Sequence, residues 1–374
     1  MNEDKATRYH RLKRRTSVVS VVWSVVLLGG LVATGWSAAL RDLAGAWAGD
    51  VPPALRSVAV VLIFTVLLSL LHEAAALPLG FYSGFLLERR YDLSNESLGG
   101  WIRDQAKSFA IGLLFGGGAA ELVYWTMRSW PGQWWLVSGV VFTALIVVLT
   151  NLAPVLLLPL FYSVKPLDRD ALRARLIALA ERAGARVLGA YEWGLGSKTR
   201  KANAALAGLG ATRRILVSDT MLAEYTDEEI EVVLAHELAH HVHGDIWKGI
   251  VFESVLVIGG FAAAAFVLRA ASGYAGLHGV GDVAGLPLLL LTAGAVSLVA
   301  VPAAHALSRR FERSADRFAL DLTRNPGAFI SAMRRLGAQN LAEDQPSRVV
   351  QWLFYSHPPM RDRIAAAQEF ATRT

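Results

Sequence analysis

The sequence predicts a mainly α-helical protein, in which a polytopic membrane region of about six to seven transmembrane helices, able to enclose a chamber, is joined to a small α/β domain. The hydrophobic fraction is 54% and only 18% of residues are charged, a balance beyond the soluble norm. Two runs without a charged residue, Thr16–Leu40 and Ser129–Val164, each exceed the roughly 20 apolar residues that cross a bilayer. These observations together indicate a membrane protein.

Four further apolar blocks bring the predicted spans to six, or to seven if one run merges two. They are Ser57–Leu87 with His72 and Glu73, Ser108–Met127 with Glu121, Gly249–Leu268 with Glu253, and Val283–Ser308 with His305. Ionisable side chains are costly inside a bilayer, so we expect these to line a chamber or pair with neighbours. The first span is interpreted as a retained anchor, because its uncharged run exceeds the roughly 7–15 residue core of a signal peptide.

Basic residues predict the orientation of the chain. Those ahead of the first span are Lys5, Arg8, Arg11, Lys13, Arg14 and Arg15, against only Glu3 and Asp4. The positive-inside rule therefore predicts a cytoplasmic N-terminus, and six crossings return the C-terminus to the same side. The net charge of +6 is then a signal of topology, and the expected partner is the lipid bilayer rather than a nucleic acid.

The chain divides into two predicted regions. Residues 1–164 hold four spans and a cytoplasmic loop at 88–107, and residues 165–374 hold the α/β domain and two more spans, at about 249–268 and 283–308. In the second region Asp168 is expected to cap a helix that reaches about Ala183. Three short segments, RVLGAYEWG, ANAALAGLG and RRILVSD, favour a small antiparallel sheet. After the sixth span, helices are expected on both sides of Asn325-Pro326 and of SHPP at 356–359.

Thr226 and Glu229 fit a capping box at the start of a helix that carries HELAH at 236–240 and is expected to run into the fifth span. Residues four apart lie within about 40° around a helix axis, so His236 and His240 can face one zinc ion. Glu237 can then take a proton from a zinc-bound water whose pKa is lowered toward ~7, and the hydroxide attacks a peptide carbonyl. The alternative is a polar surface helix that matches a short pattern by chance.

A catalytic zinc needs a third protein ligand and an open position for water. The chain has no cysteine, so thiolate zinc sites and disulfides are excluded and the ligand must be a histidine or a carboxylate. Glu312 in SRRFERSAD follows the sixth span and is therefore expected at the same membrane face as HELAH. Asp316, one turn later, is expected to accept the second ring N–H of a ligating histidine.

These motifs make the sequence resemble the integral-membrane zinc metallopeptidases of the CaaX prenyl protease type I family. HELAH, HGD and SRRFERSAD carry the resemblance, and so do the stretches LLHEAAALPLGFYSGFLLERRYDLSNESLGGWIRDQAKS, SKTRKANAALAGLGATRRILVSDTML and YSHPPMRDRI. It covers residues from about 50 to 370. The alanine-rich, cysteine-free chain looks more like a bacterial relative, which implies a bacterial plasma membrane with the active site on the cytoplasmic side.

The resemblance implies a zincin-type domain with one Zn²⁺ per chain, bound by His236, His240 and Glu312, with Glu237 as general base and acid. It further implies substrate-binding residues. A strand with Asn203 and Ala204 would pair with an extended substrate, His357 would hydrogen-bond the developing oxyanion, and Arg363 would bind a carboxylate or a substrate carbonyl. The substrate would be a peptide or a protein at the membrane, and whether it is lipidated stays open.

Two alternatives stand beside this interpretation. One is the heat-shock-induced type of membrane protease, which has fewer spans and lacks the N-terminal span-and-loop region. The other is a non-catalytic membrane scaffold or transporter with a structural zinc, which would need no general base at Glu237.

Overall fold

Six helices are long and apolar enough to cross a membrane in the computed structural model, which describes residues 4–208, 213–274 and 276–373. The prediction of a polytopic helical protein with six spans is therefore confirmed for this part of the chain. The N-terminal elements are α1 (Lys5–Ala33), α2 (Trp36–Trp47), α3 (Pro53–Phe81), α4 (Leu87–Arg90), α5 (Leu98–Ser129), α6 (Trp134–Leu156) and α7 (Leu158–Phe161). Of these, α1, α3 with its extension to Arg90, α5 and α6 are the long apolar ones.

Glycine and proline interrupt the first two apolar runs. Thr16–Leu40 is two helices, because Gly35 adopts a left-handed conformation with φ 77° between α1 and α2. Pro78 lies inside α3, where it cannot donate the usual helical hydrogen bond. The helix continues through a π-helical turn at Tyr82–Leu86 before α4, the kind of local irregularity that follows a missing bond in the ladder.

The second region begins with short elements and returns to the membrane twice. Its elements are β1 (Val164–Pro166), α8 (Asp170–Arg182), β2 (Gly189–Trp193), β3 (Ala204–Ala207), β4 (Arg214–Ser218), α9 (Asp219–Glu224), α10 (Asp227–Val242), α11 (Asp245–Ala271), α12 (Leu286–Thr323), α13 (Pro326–Gln339), α14 (Arg348–Phe354) and α15 (Met360–Arg373). The expected cap of α8 by Asp168 is wrong, since Arg169 holds the N-cap position and no side chain caps the helix.

The sheet has four strands in the order β1-β2-β4-β3. The prediction of antiparallel pairing is correct for β1 with β2 and for β3 with β4, but β2 and β4 are parallel. The reason is topological: after β2 the chain crosses to the far edge, forms β3, and returns between them as β4. Residues 209–212, which include the end of the predicted segment ANAALAGLG, lie outside the described residues. The crossing leaves β3 at one edge of the sheet, with β1 at the other.

Helix α10 occupies the centre of the domain core. Its residues Ile230, Leu234 and Leu238 are fully buried among side chains of α8, the sheet and α13. The helix does not run into the fifth span as expected. It ends at Val242, because Gly244 adopts φ 66° and α11 starts in a new direction at Asp245. The part of α12 beyond the membrane packs against α10, which brings a span into the core of the domain.

The membrane helices enclose a cavity of about 840 Å³ with mostly apolar walls. His72, Glu73 and Glu253 line it, and Glu73 accepts a hydrogen bond of 2.8 Å from Gln105. Glu121 instead forms an ion pair with Arg128. Three of the ionisable residues predicted to lie inside spans therefore line a chamber, and a fourth pairs with a neighbour.

Candidate active site

The helix that carries HELAH is fixed at its start by the predicted capping box. The Thr226 hydroxyl accepts a hydrogen bond from the Glu229 N–H, and the Glu229 carboxylate accepts one from the Thr226 N–H. Ser331 and Arg335 of α13 also donate to Glu229, which ties the helix start to its neighbour. The rotation of α10 is thereby set, and His236 points into the domain, where it is buried.

Three side chains from α10 and α12 converge on one point. His236, His240 and Glu312 each offer a ligand atom, and these atoms lie within 4.8 Å of one another. The Nε2 atom of His236 is 3.2 Å from Glu312 Oε2, and the Nε2 atom of His240 is 3.4 Å from Glu312 Oε1. Donors placed tetrahedrally at zinc bond lengths of about 2.0–2.1 Å stand about 3.3 Å apart. The spacing fits a metal ion.

The polar chemistry of the site also fits a cation. Glu312 Oε2 is buried and has no hydrogen-bond partner among the described residues, although an imidazole nitrogen is within 3.2 Å. Burial lowers the pKa of His236, but the carboxylates of Asp316 and Glu312 more than offset this and raise the pKa to about 9. The same electrostatic field that favours a proton on His236 favours a metal ion between these groups.

Each histidine has a second carboxylate at its other ring nitrogen. Asp316 Oδ1 is 2.9 Å from His236 Nδ1, and Asp245 Oδ2 is 3.0 Å from His240 Nδ1. Such contacts fix the tautomer that leaves Nε2 free to bind a metal. The structure places Asp316 beside His236, and its role in orienting a ligating histidine stays a prediction. Asp245 was missed, although it stands in the HGD sequence after HELAH, because its approach requires the turn at Gly244.

Arg363 is buried beneath Asp316 rather than open to solvent. Its Nε donates to Asp316 Oδ2 at 2.8 Å and its Nη2 donates to Asp316 Oδ1 at 2.5 Å. Nη2 also lies 3.3 Å from His236 Nδ1. The guanidinium therefore holds the carboxylate that orients His236, and the predicted contact between Arg363 and a substrate stays a prediction.

Glu237 lies between the two histidines in sequence and is half-buried. It makes no hydrogen bond to any residue that the structure describes, so its carboxylate is available to a ligand. Burial raises the pKa of Glu237, and the positive charge of His236 and His240 opposes that rise. A carboxylate that is partly desolvated and makes no hydrogen bond beside a candidate metal site is suited to exchange protons.

The remaining predicted residues lie at the rim. His357, in the turn before α15, places Nε2 at 3.2 Å from Glu312 Oε1 while its side chain is 58% exposed. Asn203 is exposed and its backbone pairs with Ser218 at the end of β4. Ala204 begins the edge strand β3, which packs beside α10. Strand β3 therefore packs beside the helix that carries His236 and His240.

Two protein-family models together match most of the chain. A family model described as CAAX prenyl protease N-terminal, five membrane helices, matches residues 2–163, and a model of peptidase family M48 matches residues 166–371. The chain belongs to peptidase family M48. This M48 protein is a multi-pass membrane metalloprotease of the CAAX prenyl protease type. Neither alternative is favoured, because M48 is a peptidase family and the N-terminal model is that of CAAX prenyl proteases.

Relatives of this M48 protease come from bacteria and eukaryotes. The uncharacterized metalloprotease YhfN of Bacillus subtilis is 29% identical over 310 residues, which cover 82% of this chain and 72% of YhfN. CAAX prenyl protease 1 of Saccharomyces cerevisiae is 29% identical over 203 residues, 54% of this chain and 45% of the yeast protein. The crystal structure of S. mikatae Ste24p superimposes with a TM-score of 0.85 at 23% identity, covering 97% of this chain and 88% of that one. The fold is therefore shared across the full length.

Proposed function

We propose that this M48 protease is a zinc endopeptidase of the gluzincin type, with one Zn²⁺ held by His236, His240 and Glu312. The observation that carries the proposal is the convergence of three ligand atoms at tetrahedral spacing, one of them on a buried carboxylate oxygen without a hydrogen-bond partner. A zinc ion bound there supplies Lewis acidity, which lowers the pKa of water and polarises a carbonyl. Asp316 and Asp245 hold the two imidazoles in the ligating orientation.

The protein side chains supply the proton transfers. Glu237, unengaged beside the histidines, takes a proton from the attacking water and delivers it to the leaving amine. His357 stands at the exposed rim, where its ring can donate to the oxygen that gains charge as the carbonyl is attacked. The substrate backbone pairs in extended form with β3 near Asn203 and Ala204, since β3 is an edge strand and packs beside α10.

The substrate class follows from the setting of the site. A protease with six candidate spans meets peptides or proteins near the membrane, and the matched relatives named CAAX prenyl protease 1 make a lipidated C-terminus one class to test. We propose a bacterial plasma membrane with the N-terminus, active site and C-terminus in the cytoplasm, as the six basic residues before the first uncharged run indicate. We also propose that residues 165–374 form the catalytic region and 1–164 its membrane support.

The test is metal analysis and peptide cleavage on purified native protein, Glu237→Gln and Glu231→Gln. Glu231 is the matched control, because it lies on the same helix and pairs with Arg175 away from the site. We expect about one zinc per chain in all three proteins and a fall in cleavage of about 10²–10⁴-fold in Glu237→Gln alone. Farnesylated and unmodified peptides tested side by side would show whether a lipid is required. Cleavage by Glu237→Gln at the native rate would refute the mechanism. So would native protein that binds no zinc after incubation with zinc.

A further inference from the structure

Helix α14 lies at the level where two spans leave the apolar layer. The uncharged run of α1 begins directly after Arg14 and Arg15, and that of α12 ends at Arg309. Arg14 donates a hydrogen bond of 2.9 Å to the Tyr355 hydroxyl. Arg309 donates to the backbone oxygens of Gln351 at 3.0 Å and Tyr355 at 2.6 Å. The C-terminal end of α14 is thus held at the membrane boundary from two sides.

The outer face of α14 is apolar and uncovered. None of the seven residues of this helix is buried. Val349 is 65% exposed and Trp352 is 52% exposed, and Leu353 and Phe354 are exposed as well. Isolated exposed apolar residues are ordinary, but Val349, Trp352 and Leu353 have the i, i+3, i+4 spacing that places them on one face of this short helix at a membrane boundary. Tryptophan in particular is enriched where proteins meet the headgroup layer.

Two arginines stand beside that face without a counter-charge. Arg309 and Arg348 line a groove of about 440 Å³ together with Val349, Gln351 and Trp352. Within the described parts of the chain, no carboxylate forms an ion pair with either arginine, and Arg309 donates only to backbone oxygens. Planar guanidinium groups match the geometry of a phosphate, and the apolar side chains next to them match an acyl chain.

We infer that α14, Arg309 and Arg348 form a docking surface for anionic phospholipids of the surrounding bilayer. The headgroup phosphate lies between the two guanidinium groups, and an acyl chain lies against Val349 and Trp352. The leaflet next to α14 provides this lipid, because α14 is held at the end of the membrane-spanning parts of α1 and α12, where Arg14, Arg15 and Arg309 follow the uncharged residues. The chain passes from α14 directly into the turn that carries His357, so the proposed surface lies next to the rim of the active site in sequence.

The absence of cysteine allows single labels to test the inference. Val349→Cys carries a bimane fluorophore on the proposed surface, and Leu188→Cys carries it at an aliphatic position, 57% exposed, between α8 and β2. Both proteins are placed in phosphatidylcholine nanodiscs that contain doxyl-labelled phosphatidylcholine or doxyl-labelled phosphatidylglycerol as quencher. We expect quenching at position 349 and not at 188, and stronger quenching at 349 by the phosphatidylglycerol.

Arg348→Gln tests the headgroup contact, with Arg186→Gln as an exposed arginine control. Near a membrane surface the loss of one arginine should lower the preference for the anionic quencher about fivefold, while the control should not change it. Equal quenching by both lipids, unaltered by Arg348→Gln, would overturn the headgroup site. A label at 349 that no lipid quenches would overturn the docking surface as a whole, and protection of that label in a cross-linked dimer would assign the face to a second copy of the chain. The measurement does not depend on hydrolysis.

Discussion

Helix α1 of the membrane region and helix α10 of the protease region are each about half apolar but bury very different shares of their residues. Helix α1 has 29 residues and buries five of them, whereas α10 has 16 residues and buries more than half. In α10 apolar side chains pack against protein, and in α1 most of them face lipid. Hydrophobic residues therefore specify a packed core in one region and a match to the bilayer in the other.

Helix α12 has one part in the apolar layer and another part packed in the protease core. Its most apolar window is 39% buried, against 11–22% for the other five spans, and it continues beyond the apolar layer into the domain core with Glu312 and Asp316. One helix thus connects the bilayer to the proposed metal ligands. Substitutions that act differently on the two regions can test this contrast.

The largest effect is expected where charge is buried in the packed region. Asp316→Asn leaves Arg363 without its ion-pair partner in a buried site, which should lower the free energy of unfolding by about 3–5 kcal/mol. Thermal unfolding in detergent with a chelator present would measure this without a contribution from bound metal. Glu369→Gln, which breaks an exposed pair with Arg373, is the control and should have almost no effect. Equal stability of the two variants would contradict the contrast.

Two matched leucine truncations compare the packed protease core directly with the apolar layer. Leu176→Ala opens a cavity in the core of the protease region and should cost about 2–5 kcal/mol. Leu298→Ala, on the exposed side of α12 in the apolar layer, should cost much less, because that side chain meets lipid whether or not the helices are packed. Unfolding temperatures of both variants, measured in the same detergent, give the comparison. Similar losses would show that position 298 is packed against protein.

The junction between the regions is expected to show an intermediate effect. Glu88, at the end of the second span, accepts hydrogen bonds from Tyr9 at 2.6 Å and from Lys201 at 2.9 Å. Lys201 lies three residues before the start of β3 at Ala204. Glu88→Gln removes the charge from bonds that are each worth about 1.5–3 kcal/mol. Hydrogen exchange of the amides of residues 198–207 should then accelerate about tenfold or more.

The matched control for the junction is Asp92→Asn, since Asp92 forms an exposed ion pair with Lys5 close by. Exchange in residues 198–207 should be unchanged in this variant. If Glu88→Gln also left exchange there unchanged, the membrane helices would not hold the edge strand in place.

The smallest effect is expected at the start of α10. Burial raises the pKa of Glu229, but hydrogen bonds from Ser331, the Thr226 N–H and Arg335 outweigh it and lower the pKa below its usual value. A carboxyl group whose pKa is lower in the folded state stabilises the protein at pH values above its unfolded-state pKa of about 4.3. This stabilisation is lost as the pH falls through the folded-state pKa.

Glu229→Gln should therefore reduce the unfolding temperature at pH 7 and make it less sensitive to acid between about pH 5 and pH 3. The effect should be small, because glutamine can still complete a capping box. Native protein and variant are compared by thermal unfolding across this pH range. An unchanged acid sensitivity would assign the pH dependence to other carboxylates.

The sequence alone determined the features that depend on neighbours along the chain. Two uncharged runs and four further apolar blocks indicated the six spans, because crossing a bilayer requires a length of apolar helix that can be counted. Thr226 and Glu229 fixed the start of α10, and the spacing of His236 and His240 placed both on one helix face. The position of Glu312 after a span was enough to anticipate its approach to those histidines.

Only the tertiary structure decided the contacts between separate secondary-structure elements. It made β2 and β4 parallel, turned the chain at Gly244 so that Asp245 reaches His240, and buried Arg363 against Asp316. Glycine at position 244 signals that a helix can end there, but it does not show that Asp245 then reaches His240. The parallel pairing and the buried ion pair have no local signature, since each depends on how elements far apart in sequence meet in space. Periodicity and capping report interactions within a few residues, whereas pairing direction and buried ion pairs are settled only when the whole core assembles.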